Sequence, residues 1–306
     1  MSPETVTVVS FDVEEHHRIE AAHKLDVPLA RKREYAARME SSTRRLLDAL
    51  AAAKTLGTFF IVGEIAVSHP KLVRAIADAG HEIGSHSWSH ESVKRLSEEA
   101  FREEVRTSKD VLEQVGGQPV FGYRAPTFSI SHQTPWAIDV LVECDYRYDS
   151  SIFPVRHDRY GIPEAPRCPF MAVGLSASIL ELPPATWRIF GQNLPVAGGG
   201  YFRLFPWALM RKGLNGFAKQ VAPAVGMTYF HPWEFDADQP QLPLGRFGRW
   251  RTYTGTGRTA GRFADLLRSF PCRRAIDVVD TLNEDELPRF QLTSPVLSAA
   301  TTSLRP

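Results

Sequence analysis

The chain has 306 residues, 43% of them apolar and 23% charged, a composition that fits an ordinary soluble globular protein of one large domain or two small ones. Lys plus Arg number 36 and Asp plus Glu 35, so the formal charge is +1, which argues against a broad nucleic-acid-binding face and against a polybasic membrane anchor. The three cysteines, Cys144, Cys168 and Cys272, are far apart and form no CxxC pair, so neither a cysteine zinc site nor a disulfide framework is expected. No window holds about 20 consecutive apolar residues, the length of a membrane span. Residues 1–10 lack a basic, then apolar, leader pattern, and a cytoplasmic location is the expectation.

Val6 to Phe11 is a β-branched run that reads as a strand, and it ends in the polar cluster Asp12-Val13-Glu14-Glu15-His16-His17. Residues 34–54 have helical spacing, with Gly57 beyond their end. Thr58–Val62 is a second strand, residues 69–79 a helix opened by Pro70, and residues 81–85 a third strand leading into His86-Ser87-Trp88-Ser89-His90. A charged helix over 97–115 stops at Gly116-Gly117. A strand over 120–124, a helix over 135–144 and a strand over 146–149 follow. This alternation predicts an α/β fold with a parallel sheet or barrel, and the polar residues fall just after the strands, the end that carries chemistry in barrels. The second half is less regular. Residues 152–172 read as a long loop, 178–182 as a strand, 191–200 with Gly198-Gly199-Gly200 as a mobile or tightly turned segment, 202–221 as a helix, 227–231 as a strand and 259–269 as a last helix. From residue 293 the chain reads as a disordered tail.

His86 and His90, four apart, can meet one metal ion, and Glu14 or Asp12 can complete a set of two histidines and one carboxylate that leaves a position open. Asp12 and Glu14 are two apart at a strand end, so both face one side: one can bind metal while the other takes a proton. The same acids also fit a solvated loop. His16 and His17 could be further ligands or ordinary loop residues. Arg124 ends a strand, where it can hold a carboxylate by a bidentate pair or be a plain surface arginine. His231 ends another strand, as a general acid or as a core histidine.

In this order, Phe11-Asp12-Val13-Glu14, His86-Ser-Trp-Ser-His90, Arg124-Ala-Pro126 and Tyr229-Phe230-His231 resemble the motifs of the polysaccharide deacetylase family (NodB homology, carbohydrate esterase 4), over about residues 5 to 235. DVEE in place of paired aspartates, with Gly198–Arg203 and His231–Asp236, is similar to a branch found in bacterial exopolysaccharide gene clusters. The resemblance implies a distorted (β/α) barrel over 1–236 with an inserted loop and helix at about 186–225, a C-terminal extension over 237–292 and a tail over 293–306. It implies Asp12 as general base, Glu14, His86 and His90 as ligands of a divalent metal, Zn2+ first, Arg124 as the residue that positions the base, a Thr127 backbone N–H at the oxyanion, and His231 as general acid. The usual aspartate-tryptophan motif is absent in clear form. Glu181 is therefore the expected orienting partner of His231, with Asp149 as the weaker candidate. Trp88, Phe128, Tyr201 and Trp233 are the expected walls for a sugar ring or acetyl methyl.

The implied reaction is removal of acetyl groups from N-acetylhexosamine units of a glycan, met before export as a lipid-linked precursor at the membrane if the location is cytoplasmic. Two other readings stay open: hydrolysis of a small linear or cyclic amide on the same scaffold, and glycan binding without catalysis. A phosphate-binding loop at Gly198–Gly200 is disfavoured because no GK[ST] follows.

Overall fold

A computed structural model describes residues 6–293 of the chain. In β1 (Val6–Val13) the pleat sends Val8, Ser10 and Asp12 to one face and Val9, Phe11 and Val13 to the other. Two 3-10 turns, His16–Arg18 and Glu20–Ala22, lead to α1 (Leu29–Ala52), whose Tyr35, Met39, Leu46 and Leu50 are buried at helical spacing. There follow β2 (Thr58–Ile61), α2 (Gly63–Ser68), α3 (Pro70–Asp78), β3 (Glu82–Ser85), α4 (Glu98–Gly116), β4 (Gly122–Tyr123), α5 (Trp136–Glu143) and β5 (Tyr148–Asp149). Helix α4 starts where the Ser97 side chain accepts the Ala100 N–H at 3.2 Å, and it ends at Gly117 in the left-handed region. The second half adds β6 (Phe170–Val173), β7 (Ser178–Glu181), β8 (Thr186–Ile189), β9 (Gln192–Pro195), α6 (Gly199–Leu204), α7 (Trp207–Ala218) and β10 (Val225–Phe230). The chain continues through α8 (Arg246–Tyr253), α9 (Thr256–Ser269), β11 (Cys272–Arg273), α10 (Ala275–Val279) and β12 (Arg289–Gln291).

The main sheet runs in the order β10-β1-β2-β3-β4-β5-β7-β6-β12, parallel throughout except for β6 against β7, with β11 also paired to β1. Beyond β7 the chain reaches round to β10: Pro184 bridges Met227, and the Ala185 N–H donates to the Met227 carbonyl at 3.0 Å. That contact curls the sheet into the distorted barrel the sequence led us to expect. Val8, Phe60, Tyr148, Leu180 and Met227 form an inner cluster, while Val9, Phe11, Phe59, Ile61 and Ile83 face the helices. Among the described residues no helix is long and apolar enough to cross a membrane.

Several expectations for the second half need correction. Residues 186–195 are an antiparallel hairpin, β8–β9, which was not foreseen. The single helix expected over 202–221 is two, α6 and α7, because Pro206 cannot continue a helix. The three glycines are a close approach of backbone to β10: a Cβ on Gly198 would lie 1.8 Å from the Tyr229 carbonyl oxygen. The region 237–292 contributes β11 and β12 to the main sheet. The tail expected from residue 293 lies, Thr293 apart, outside the described residues.

Candidate active site

Parallel strands deliver their C-terminal ends to one rim, and that rim gathers most of the candidate residues. Asp12 is the last inward-facing residue of β1 and Glu14 follows two residues on. His86 comes directly after β3, Arg124 after β4 and His231 after β10. Asp12, Glu14, His86, His90, Thr127, Phe128, His231 and Trp233 all line one cavity of about 210 Å³.

The ligand atoms of Glu14, His86 and His90 lie within 4.8 Å of one another. His86 is buried, and burial holds its pKa down at about 4, so the ring is neutral at physiological pH. Its Nδ1 sits 2.8 Å from the Arg124 carbonyl oxygen. A carbonyl only accepts, so Nδ1 carries the hydrogen and the Nε2 lone pair is free, the tautomer of a metal-ligating histidine. Burial works to raise the Glu14 carboxyl, but the contact with His90 and the nearby His231 outweigh it and hold the group below the usual carboxylate range. His90 Nε2 abuts Glu14 Oε2 without hydrogen-bond geometry, and that oxygen is buried with no donor. Two imidazole rings and one carboxylate whose ligand atoms converge on a point fit a divalent cation with an open coordination position.

The loop that carries the histidines is built around Glu104 on α4. Its carboxylate accepts from the Ser87 hydroxyl at 2.7 Å, the Trp88 N–H at 3.0 Å, the Ser89 N–H at 2.9 Å and the Ser89 hydroxyl at 2.7 Å. Ser87 and His90 have φ of 64° and 67°, the left-handed region. The loop therefore turns Trp88 away from the cavity and onto α2, where a Cβ on Gly63 would lie 2.6 Å from the indole. Trp88 as a substrate wall is thus corrected. Tyr201 lines a neighbouring cavity instead of this one. His16 is buried against Tyr35, Trp233 and Tyr253, with Nε2 2.8 Å from the Tyr253 hydroxyl, and stands outside the ligand cluster.

Arg124 is fully buried, stacked 4.1 Å from the Phe60 ring centre, and donates to Asp12 Oδ1 at 2.6 Å, to the Ser10 hydroxyl at 2.9 Å and to the Ser150 hydroxyl at 3.0 Å. It fixes the Asp12 carboxylate, whose other oxygen lies 3.8 Å from His231 Nε2. His231 Nε2 is also 3.7 Å from Glu14 Oε1.

The partner of the other His231 nitrogen is Glu234, not Glu181. Glu234 Oε1 lies 2.6 Å from His231 Nδ1 and accepts the His231 backbone N–H at 3.2 Å, while Oε2 accepts from Arg203 Nε at 2.8 Å. The 3-10 turn Pro232–Phe235 makes this possible, since it returns Glu234 to its own N-cap residue. Burial lowers the pKa of His231, but the bond to Glu234 and the charges of Glu14, Glu234 and Asp12 overcome it and raise the value to about 9. Glu181 sits instead beside Asp149, where it accepts the Ile152 N–H at 3.0 Å; burial and the Asp149 charge push its pKa well up. Reasoning from sequence thus missed Glu234, Arg203 and Glu104. The His-Pro-x-Glu spacing is a capping-box signal that could have found the first. Thr127 and Phe128 have φ of 57° and 50°, a backbone strained into the left-handed region at the cavity wall.

Residues 34–148 match the family model described as polysaccharide deacetylase, and residues 150–280 match one described as a domain of unknown function (DUF3473). Peptidoglycan-N-acetylglucosamine deacetylase of Bacillus cereus is 32% identical over 98 residues, which cover 32% of this chain and 36% of that protein. Chitooligosaccharide deacetylase of Rhizobium leguminosarum bv. trifolii is 30% identical over 103 residues, 32% of this chain and 43% of that one. The chain thus spans less than half the length of these relatives. Among solved structures, a polysaccharide deacetylase candidate from Mycobacterium smegmatis superposes with a TM-score of 0.64 over 96% of each chain at 20% identity. A CE4 family pseudoenzyme from Bacillus anthracis superposes with a TM-score of 0.51 over 95% of this chain and 71% of that one at 12% identity. Such identities show the fold alone, and a pseudoenzyme on the same fold means that activity has to be argued from the site. His86, His90 and Arg124 lie inside residues 34–148, the stretch that matches the polysaccharide deacetylase family model (NodB homology, carbohydrate esterase 4), and the fold shared with the Mycobacterium smegmatis structure extends over nearly the whole chain.

Proposed function

We propose that the protein is a zinc-dependent N-deacetylase that removes acetyl groups from N-acetylhexosamine units of a bacterial exopolysaccharide or its precursor. One observation carries the reading. A carboxylate held by a buried arginine and a histidine held by a buried glutamate face each other 3.8 Å apart, beside a Glu-His-His cluster in a single cavity. The relatives named for peptidoglycan N-acetylglucosamine and for chitooligosaccharides support the substrate class. The DVEE motif supports the exopolysaccharide assignment.

Glu14, His86 and His90 would hold the cation, which when bound supplies Lewis-acid polarisation of the acetamide carbonyl and a lowered water pKa. Asp12 takes the proton of the attacking water, kept in place by Arg124; a positioned base of this kind contributes ~10²–10⁴-fold. The Thr127 backbone N–H, on the cavity wall, is assigned to the developing oxyanion, a contact worth about 3 kcal/mol. His231, protonated on both nitrogens with Nδ1 donating to Glu234, passes its Nε2 proton to the nitrogen as the C–N bond breaks. Acetate and a free amine leave. Trp233, stacked at 5.2 Å on His231, and Phe128 exclude water on two sides.

The test is incubation with N-acetylglucosamine oligomers and, separately, with small linear and cyclic amides. Equal amounts of acetate and free amine from the oligomers are expected. Faster turnover of the small amides would support the small-amide reading, and tight oligomer binding without acetate would support glycan binding alone.

A further inference from the structure

Beside the reaction cavity, and sharing His157, Tyr160, Gly200, Tyr229, Phe247 and Arg251 with it, lies a second cavity of about 470 Å³. One wall is rigid: His157 stacks on Tyr160 at 3.9 Å and 15°, and Tyr160 in turn stacks on Phe153. The other wall is α8, which presents Phe247 and Trp250 stacked at 6.0 Å and 28°, with 71% and 54% of their surfaces exposed. A pair of aromatic rings left open at the mouth of a cavity is a surface prepared for a ligand with an apolar face. The cavity is also cationic. Arg156 and Arg251 line it, and its one acid, Asp158, lies 3.8 Å from both Arg159 and Arg251. Arg156 stands outside that ion-pair cluster, an exposed guanidinium at the edge of the aromatic wall.

We propose that this second cavity is a subsite for a neighbouring sugar that carries an anionic group, a carboxylate or a phosphate, with Arg156 on the anion and Trp250 against the ring. The inference rests on the deacetylase reading and adds the charge of the substrate to it. Guanidinium binds carboxylate and phosphate oxygens in pairs, and a planar indole covers the C–H face of a pyranose, so one wall serves each half of such a sugar.

The experiment compares kcat and KM for three substrates of equal length: a neutral N-acetylglucosamine oligomer, the same oligomer with one adjacent uronic acid, and the same oligomer ending in a glycosyl phosphate. The wild-type protein is expected to show a KM ~10-fold lower for at least one anionic substrate, the scale of one charge-assisted hydrogen bond. The arm that gains identifies the anion. Arg156→Gln should abolish that gain and leave the neutral oligomer within ~2-fold. Trp250→Ala should raise the KM for the anionic substrate with little change in kcat. Equal KM for all three, or a gain that survives Arg156→Gln, would overturn the proposal. Binding to phosphatidylglycerol vesicles that is lost in Arg156→Gln, with oligosaccharide KM unchanged, would also overturn it and assign the patch to a membrane. If no oligomer is turned over, the deacetylase reading fails separately. Calorimetric titration with a uronic-acid oligosaccharide, wild type against Arg156→Gln, then still decides the subsite.

Discussion

Glu234→Gln isolates the electrostatic support of the proposed general acid. The substitution keeps the shape of a fully buried side chain, removes its charge and replaces one of its two accepting oxygens by an amide NH2. In the native protein that charge, with those of Glu14 and Asp12, raises His231 to about 9 against the pull of burial. Without it the pKa falls, and a return to the ordinary 6.5 sets the scale of the test. A fall from about 9 to 6.5, at ~1.4 kcal/mol for each pKa unit, weakens the imidazolium by about 3 kcal/mol. At pH 8 the variant ring is then protonated in roughly 3% of molecules, and at pH 6 in roughly three quarters, whereas the native ring is protonated at both. Acetate release from an N-acetylglucosamine oligomer should therefore fall ~30-fold at pH 8 and only slightly at pH 6. The ratio of variant to native rate should recover roughly 20-fold across that range. A cation held by Glu14 lowers the pKa in both proteins, so the ratio is the quantity to read. An activated acetate ester, whose leaving group needs no proton, serves as the control and should lose little. A ratio that does not change with pH, or an equal loss on the ester, would refute the general-acid assignment.

Arg124→Gln leaves Asp12 buried without its cation and should cost ~3–5 kcal/mol in denaturant unfolding. Asp12→Asn should keep metal but lose ~10² or more in kcat, and the two losses in activity should not add, because both act through one carboxylate. Glu104→Ala removes four hydrogen bonds from the histidine loop and should weaken zinc binding ~10–100-fold in a competition assay with a chromogenic chelator, with Asp12 and His231 untouched. Burial raises both Asp149 and Glu181, so the folded state keeps a proton that the unfolded chain has released above about pH 4. Stability contributed by that pair is therefore present at low pH and falls as pH rises through the folded pKa values. Glu181→Gln should flatten the fall in urea midpoint between pH 5 and pH 8; an unchanged slope would place the pH dependence elsewhere.

The first half of the chain is readable because its physics is local. β-branched runs, Ser97, Gly117 and Pro70 mark element ends by their own backbone chemistry, and a parallel sheet sends polar strand ends to one rim whatever the details. Asp12, Glu14, His86, His90, Arg124 and His231 could be placed on that rim for this reason. What failed depends on where side chains meet. Trp88 sits between two candidate ligands in sequence, yet two left-handed residues turn it over Gly63. Glu181 looked suitable because its strand precedes that of His231, but it points into a buried carboxyl pair, and a turn within the His-Pro-x-Glu segment supplies the partner instead. Arg203 reaches Glu234 only because Gly198 lets the chain lie against β10, a contact no local pattern encodes. Helix α8, with Phe247 and Trp250 exposed, has no buried apolar face to betray it.

The central claim is that this site hydrolyses an N-acetyl group with one metal held by Glu14, His86 and His90. The direct measurement is acetate release from a defined N-acetylglucosamine oligomer by metal-stripped protein titrated with Zn2+. The account predicts no acetate from the stripped protein and a rate that rises to a plateau at one zinc per chain, with no recovery at matched zinc in His86→Ala. Acetate release that ignores the chelator, or its absence at every zinc concentration, would contradict it.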